Sequence, residues 1–206
     1  MNTQLIGLEK NDEVGYRIYS SPYVITNQQE FITDSEIAYK KYRSDNENSL
    51  KKLKYQHDSY EGAGSTWNYD SYNLFSYTGG SPYFHTLFMQ FQAVCREWVG
   101  DDRPLWLQCW LNYHYPDDVL KWHHHYDSIA HGYVSIDPKN TSTRFEQFTV
   151  ENEIGKIYIG HCGLFHEVVV NKVFDTPRIT IAFQLDDDTS LSSYRHRYTN
   201  TSFIPI

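Results

Sequence analysis

The chain has 206 residues, with 18 basic and 26 acidic side chains and a net charge of -8, enough for one domain with a full core. That balance argues against a nucleic-acid partner, which calls for a basic face. No apolar run approaches the roughly 20 residues that span a bilayer, and Met1–Lys10 lacks the basic, apolar and small-residue regions of a secretory signal, so the expectation is a cytoplasmic protein that inserts in no membrane. Cys95, Cys109 and Cys162 form neither an even set nor a CxxC pair, which suits a reducing compartment. Aromatic residues make up 17% of the chain, 18 of them Tyr, and such rings pack well across a pleated surface.

In chain order, Asp34–Tyr42 and Asn48–Tyr55 read as helices, and the basic residues among them, Lys40 to Lys54, are interrupted by acids as on a solvated helix face. Tyr60–Pro82 is rich in Gly, Ser, Tyr and Asn and reads as a long loop or short strands. From Pro82 to Val99 the residues Phe84, Leu87, Phe88, Phe91, Val94, Cys95 and Trp98 recur at helical spacing, and Gly100 follows as a stop. After Arg103-Pro104 the pattern changes to short β-type runs: Leu105–Tyr115, Val119–His125, Ile129–Ile136, Arg144–Val150, Lys156–Ile159, Leu164–Val170 and Arg178–Leu185. Pro116-Asp117-Asp118, Asp137–Asn140, Asn152-Glu153 and Asp175-Thr176-Pro177 supply turns between them. The expected fold is mainly β with supporting helices, a double-stranded β-helix (jelly roll, cupin-like), with a plain sandwich as the alternative topology. We read one domain: an extension of helix and loop over 1–103 packing on the barrel, a β core over 104–186, and a tail over 187–206.

Seven of the ten histidines lie between positions 114 and 166. Alternate residues of a strand share a face, so His123, His125 and Asp127 project one way while Leu120, Trp122 and His124 project the other. Two imidazoles and a carboxylate on one face suit a first-row divalent metal that keeps positions open for O2 and an organic chelator. His125 and Asp127 form a His-x-Asp pair, and His166, opening the run His166–Val170 after another strand, is the candidate distal ligand. Twelve residues later Arg178 and Thr180 share a face, where guanidinium and hydroxyl can grip a carboxylate.

In these residues the sequence resembles the Fe(II)/2-oxoglutarate-dependent oxygenase superfamily, in particular small phage and bacterial members. The resemblance runs from about Trp110 to Leu185 in three ordered blocks: Asn112–His125, Gly155–Val168 and Arg178–Phe183. It implies Fe(II) and 2-oxoglutarate as cofactors, with Arg178 and Thr180 on the far carboxylate, O2 as co-reactant, and hydroxylation of a small molecule or a peptide or protein side chain. Two departures stand out. Counted from Asn112 through Asp118 and Leu120, the family register puts the ligands at His123 and His125, a His-x-His in place of His-x-Asp, so His123 and Asp127 compete for one place. Gly160-His161 stands where related sequences carry an aromatic residue and a proline. Loops around such barrels carry specificity, which points to Tyr60–Tyr83 for the substrate.

Three bland alternatives stand beside this reading. The His123–His125 run is also what a solvated strand end would look like, Arg178 would equally form a surface ion pair with one of Asp186 to Asp188, and Asn112, His114, Tyr133 and Ser135 fit simple buried polar contacts. Two rival functions follow: a three-histidine cupin-type enzyme without 2-oxoglutarate, and a non-enzymatic jelly-roll binding protein.

Overall fold

The computed structural model describes residues 4–54, 72–118, 120–125, 128–194 and 202–206. Among them the strands are β1 (Ile6–Asn11), β2 (Tyr16–Ser20), β3 (Leu105–His114), β4 (Ala130–Asp137), β5 (Thr141–Phe145), β6 (Thr149–Glu151), β7 (Lys156–His161), β8 (His166–Val170), β9 (Arg178–Asp187) and β10 (Phe203–Pro205). The helices are α1 (Pro22–Thr26), α2 (Gln28–Lys54), α3 (Leu74–Tyr77), α4 (Pro82–Val99) and α5 (Asp188–Tyr194). Seven strands form one sheet in the order β1-β2-β7-β4-β9-β3-β10, and three form a second in the order β6-β5-β8. Every pairing is antiparallel.

The large sheet is two-faced, and the period-2 pattern of its strands is the cause. On β3, Leu105, Leu107, Cys109 and Leu111 alternate with Gln108, Trp110, Asn112 and His114; on β9, Ile179, Ile181, Phe183 and Leu185 alternate with Arg178, Thr180, Gln184 and Asp186. On β4, Val134 and Ile136 alternate with His131, Tyr133 and Ser135. The register sets like beside like, with Cys109 against Phe183, Asn112 against Thr180, and His131 against Gln184. The apolar face packs on the helices, where Phe91 of α4 meets Phe183 with ring centroids 4.5 Å apart. The polar face turns toward the small sheet, which it meets through Tyr158 and Phe145 (4.8 Å) and His131 and His166 (4.6 Å). Gly132 lies where a Cβ would overlap the Phe183 ring and the Tyr158 carbonyl, so a side chain there would push the sheet off its helix cover.

Helix α4 forms where the apolar spacing predicts it. Ser81 caps its first turn, its Oγ accepting the Phe84 amide, Pro82 occupies the first turn, and Gly100 ends it at φ 77. Asn73 holds the tail: its Nδ2 donates to the carbonyls of Leu107 and Ser202, both at 2.9 Å. Among the described residues no helix is long and apolar enough to cross a membrane.

Several elements differ from the sequence reading. The two helices expected over 34–42 and 48–55 are one, α2, because no Gly or Pro interrupts it and the pairs Glu36–Lys40 and Lys41–Asp45 span its polar middle. The stretch before residue 103 is not only helix and loop, since β1 and β2 extend the large sheet at its edge. The run Arg144–Val150 is two strands, β5 and β6, joined by a turn closed by the Phe145 amide on the Phe148 carbonyl. The tail adds α5 and β10, the latter paired with β3. Of the stretch expected as loop or short strands from Tyr60 to Pro82, residues 60–71 lie outside the described residues and Leu74–Tyr77 is a helical turn.

Candidate metal centre

The expected strand Val119–His125 is not a regular strand. A 3-10 turn covers Pro116–Asp118, and residues 120–125 then run beside β8, with an isolated antiparallel bridge between His123 and His166. The pairing is nevertheless strand-like. Val168 N–H donates to the Leu120 carbonyl at 2.9 Å, His123 and His166 exchange both backbone bonds at 2.9 and 2.8 Å, and His125 N–H donates to the Cys162 carbonyl at 3.0 Å. Trp122 and His124 therefore turn outward onto Phe165, while His123 and His125 turn inward.

The inward pair meets His166. One ring nitrogen from each of His123, His125 and His166 lies within 4.8 Å of the others. His123 Nδ1 contacts the Lys121 carbonyl at 2.6 Å and His166 Nδ1 contacts the Leu164 carbonyl at 2.9 Å. A carbonyl only accepts, so both Nδ1 atoms carry the proton and both Nε2 lone pairs are free for a metal. Burial holds all three imidazoles below their ordinary pKa, His166 at about 3, with the neighbouring histidines adding to the effect. Neutral imidazole is the form that ligates. Asp127, the competing candidate, lies outside the described residues.

A fourth histidine joins the cluster that the sequence reading left without a role. His131 on β4 stacks on His125 and on His166, with ring centroids 4.6 Å apart in both cases, and burial with the neighbouring histidines holds it well below its ordinary pKa. The signal was its parity with Tyr133 and Ser135 on the inward face of an otherwise apolar strand.

Arg178 and Thr180 lie on the same inner face of the large sheet. Arg178 is buried without a carboxylate: its Nε donates to Thr141 Oγ1 at 3.2 Å and its Nη1 to Thr180 Oγ1 at 3.3 Å, and among the described residues no acid pairs with it. The surface ion pair with Asp186–Asp188 does not form, since those acids lie at or beyond the far end of β9, eight or more residues and so roughly 26 Å along the strand from Arg178, and Asp187 pairs with Arg103. Desolvation lowers the guanidinium pKa to about 10. Thr180 Oγ1 also accepts Asn112 Nδ2 at 3.1 Å, so its own hydroxyl proton remains to be donated. Asn112 Oδ1, Ser135 Oγ and both nitrogens of His114 are buried and unpartnered around it. Native interiors rarely leave so many polar atoms unsatisfied without a ligand or water to meet them.

This environment gives the ligand-free protein a pH response. Desolvation, with the nearby Arg178 charge, lowers His114 to about 3 from an ordinary 6.5. Between those values the unfolded chain binds a proton that the folded one refuses, so the contribution is intact above pH 6.5 and is lost as pH falls. At pH 5 the loss is about 2 kcal/mol. Urea unfolding at pH 7 and pH 5 should show at least this difference, because burial holds His123, His125, His131 and His166 low as well, and His114→Gln, which cannot titrate, should make the pH dependence shallower by its own share.

No family model matches the chain, and no curated protein matches it. Among solved structures it is similar to the non-heme alpha ketoglutarate dependent carbocyclase SnoK from nogalamycin biosynthesis, at 10% identity and a TM-score of 0.59 over 95% of this chain and 93% of that one. It is also similar to the non-heme alpha ketoglutarate dependent epimerase SnoN from the same biosynthesis, at 14% identity and a TM-score of 0.51 over 85% and 77%. At such identities the likeness is one of fold, and with the strand order above it makes this chain a jelly roll, a double-stranded β-helix with helices packed on its large sheet.

Proposed function

We propose that the chain is an Fe(II)- and 2-oxoglutarate-dependent dioxygenase that oxidises a small molecule or a peptide or protein side chain. The observation that carries this reading is the pairing, inside one barrel, of a three-imidazole cluster with a buried guanidinium that no acid among the described residues neutralises. The residues present fit both groups. His123, His125 and His166 would hold the metal, with Asp127 as the competing candidate for the place of His123, and Arg178 and Thr180 would hold the far carboxylate of the 2-oxo acid.

When bound, the metal and the 2-oxo acid supply O2-dependent oxidation of a C–H bond, with release of succinate and CO2. The chain's own residues supply position. The carbonyls of Lys121 and Leu164 fix the His123 and His166 rings, and Arg178 presents its remaining N–H groups in a planar fork that matches a carboxylate. The Thr180 hydroxyl adds one donor, and burial keeps competing water from all of them.

Anaerobic titration of Fe(II) with 2-oxoglutarate tests the reading: a visible charge-transfer band is expected, and its absence counts against the proposal. The all-imidazole set favours one rival, a three-histidine cupin-type enzyme that needs no 2-oxo acid. Under that rival, Arg178→Ala leaves turnover intact.

A further inference from the structure

Two of the three clustered imidazoles are oriented by a backbone carbonyl, and the third is not. The Lys121 carbonyl fixes His123 and the Leu164 carbonyl fixes His166, whereas among the described residues no hydrogen bond reaches the His125 ring. A metal-bound imidazole almost always has its second nitrogen engaged, which sets the plane of the ring. A ring without that support has to give up its rotational freedom when the ion arrives, and affinity falls accordingly. The plane of His125 must therefore be set by packing.

The ring packed most closely on it is His131. His131 lies 4.6 Å from both His125 and His166 between centroids, with planes inclined by 23° and 8°. His125 and His166 are inclined by 17° to each other, so the three rings share nearly one orientation. Trp110, also beside His125, stands farther off at 5.9 Å and is turned by 40°. His131 is in turn well anchored. It is buried on β4 inside the large sheet, paired with Gly160 on one side and Gln184 on the other. The fully buried Tyr158 ring stands 5.5 Å from it and packs on Phe145. Gly160 leaves room for that tyrosine, since a Cβ there would overlap its hydroxyl. His131 is not one of the converging donors: the nitrogens that lie within 4.8 Å of one another are those of His123, His125 and His166.

We propose that His131 is a positioning residue of the metal centre, whose buried ring holds the His125 imidazole in the orientation in which it binds the ion. It does for His125 what the two carbonyls do for His123 and His166. Side chains locked by packing are how a protein keeps such donors in place before the ligand arrives. The inference rests on the metal reading of the three histidines, and it needs neither the 2-oxo acid nor turnover.

The test titrates Co(II) alone into the metal-free full-length protein, read by calorimetry and by the visible ligand-field band, with a urea unfolding curve for each variant. His131→Phe keeps a planar ring and should hold Co(II) within about threefold of the native affinity, whereas His131→Leu keeps bulk without a ring plane and should lose about 10–100-fold, as when a ligand's orienting group is removed. The urea midpoint of His131→Leu should stay close to the native one, because an apolar side chain suits a buried position. Native Co(II) affinity in His131→Leu overturns the proposal whatever the midpoint, since the ring would then serve packing alone. So does a loss of about tenfold or more in His131→Phe with a native-like midpoint, which would make the nitrogen, and not the plane of the ring, what the metal needs. Failure of the native protein to bind Co(II) overturns the metal reading itself, so the two failures are distinct.

Discussion

Replacing Arg178 with Met should stabilise the ligand-free protein and at the same time weaken its binding of 2-oxoglutarate on the order of 100-fold or more. The two effects share one cause. Taking a guanidinium out of water costs several kcal/mol, and here two threonine hydroxyls repay only part of it because they bring no negative charge. An apolar chain of similar volume avoids the cost, and replacements of this kind in other proteins are neutral or stabilising by about 1–4 kcal/mol. The urea midpoint of Arg178→Met should therefore rise. The ligand loses a charge-assisted forked contact in a dry site, which is worth about 2–5 kcal/mol, so affinity should fall on the order of 100-fold or more in the anaerobic titration. Arg178→Lys keeps the charge but not the fork and should fall between the two. A structural arginine would behave in the opposite way, since its loss would lower the midpoint and leave the titration unchanged.

How much of this was legible depended on whether each feature is carried by local pattern or by tertiary contact. Helix α4 was legible because its apolar spacing from Pro82 to Val99 and its Gly100 stop agree. The shared face of Arg178 and Thr180, and the convergence of His123, His125 and His166, followed from strand parity together with block order. What parity does not reveal is the partner across the barrel. Nothing near Arg178 in the chain says that no acid among the described residues will reach it, and nothing near His131 says that its ring will lie against His125 and His166. The N-terminal strands were missed for a different reason. β1 is an edge strand whose residues are nearly all exposed, so it carries no apolar alternation to read. The division of 144–150 into β5 and β6 was hidden because Glu146-Gln147-Phe148 contains none of the usual turn residues.

His166→Ala should have the largest effect on metal binding, and its effects separate ligation from packing. Removing a residue that merely orients a ligand costs metal affinity about 10–100-fold. Losing an imidazole that supplies a ligand atom should therefore cost at least the upper end of that range, read as loss of the Fe(II)/2-oxoglutarate band and as a weakened Fe(II) isotherm. The β8 register should survive, because His166 meets His123 through backbone atoms that alanine retains. The ligand-free variant should also resist acid better than the native chain. His166 is held neutral down to about 3, so between pH 6.5 and that value it opposes folding as protons bind the unfolded state, by about 2 kcal/mol at pH 5, and alanine removes the opposition. A histidine that served only packing would give a destabilised variant with the metal isotherm unchanged. Placing His123→Ala and Asp127→Ala beside it then assigns the last ligand. If the band is lost with His123 and kept without Asp127, the set is three imidazoles with no carboxylate charge, and the metal centre carries one more positive charge than a His-x-Asp site would. The opposite result makes Asp127 the ligand in place of His123, whose backbone bridge to His166 then serves the register of β8 alone.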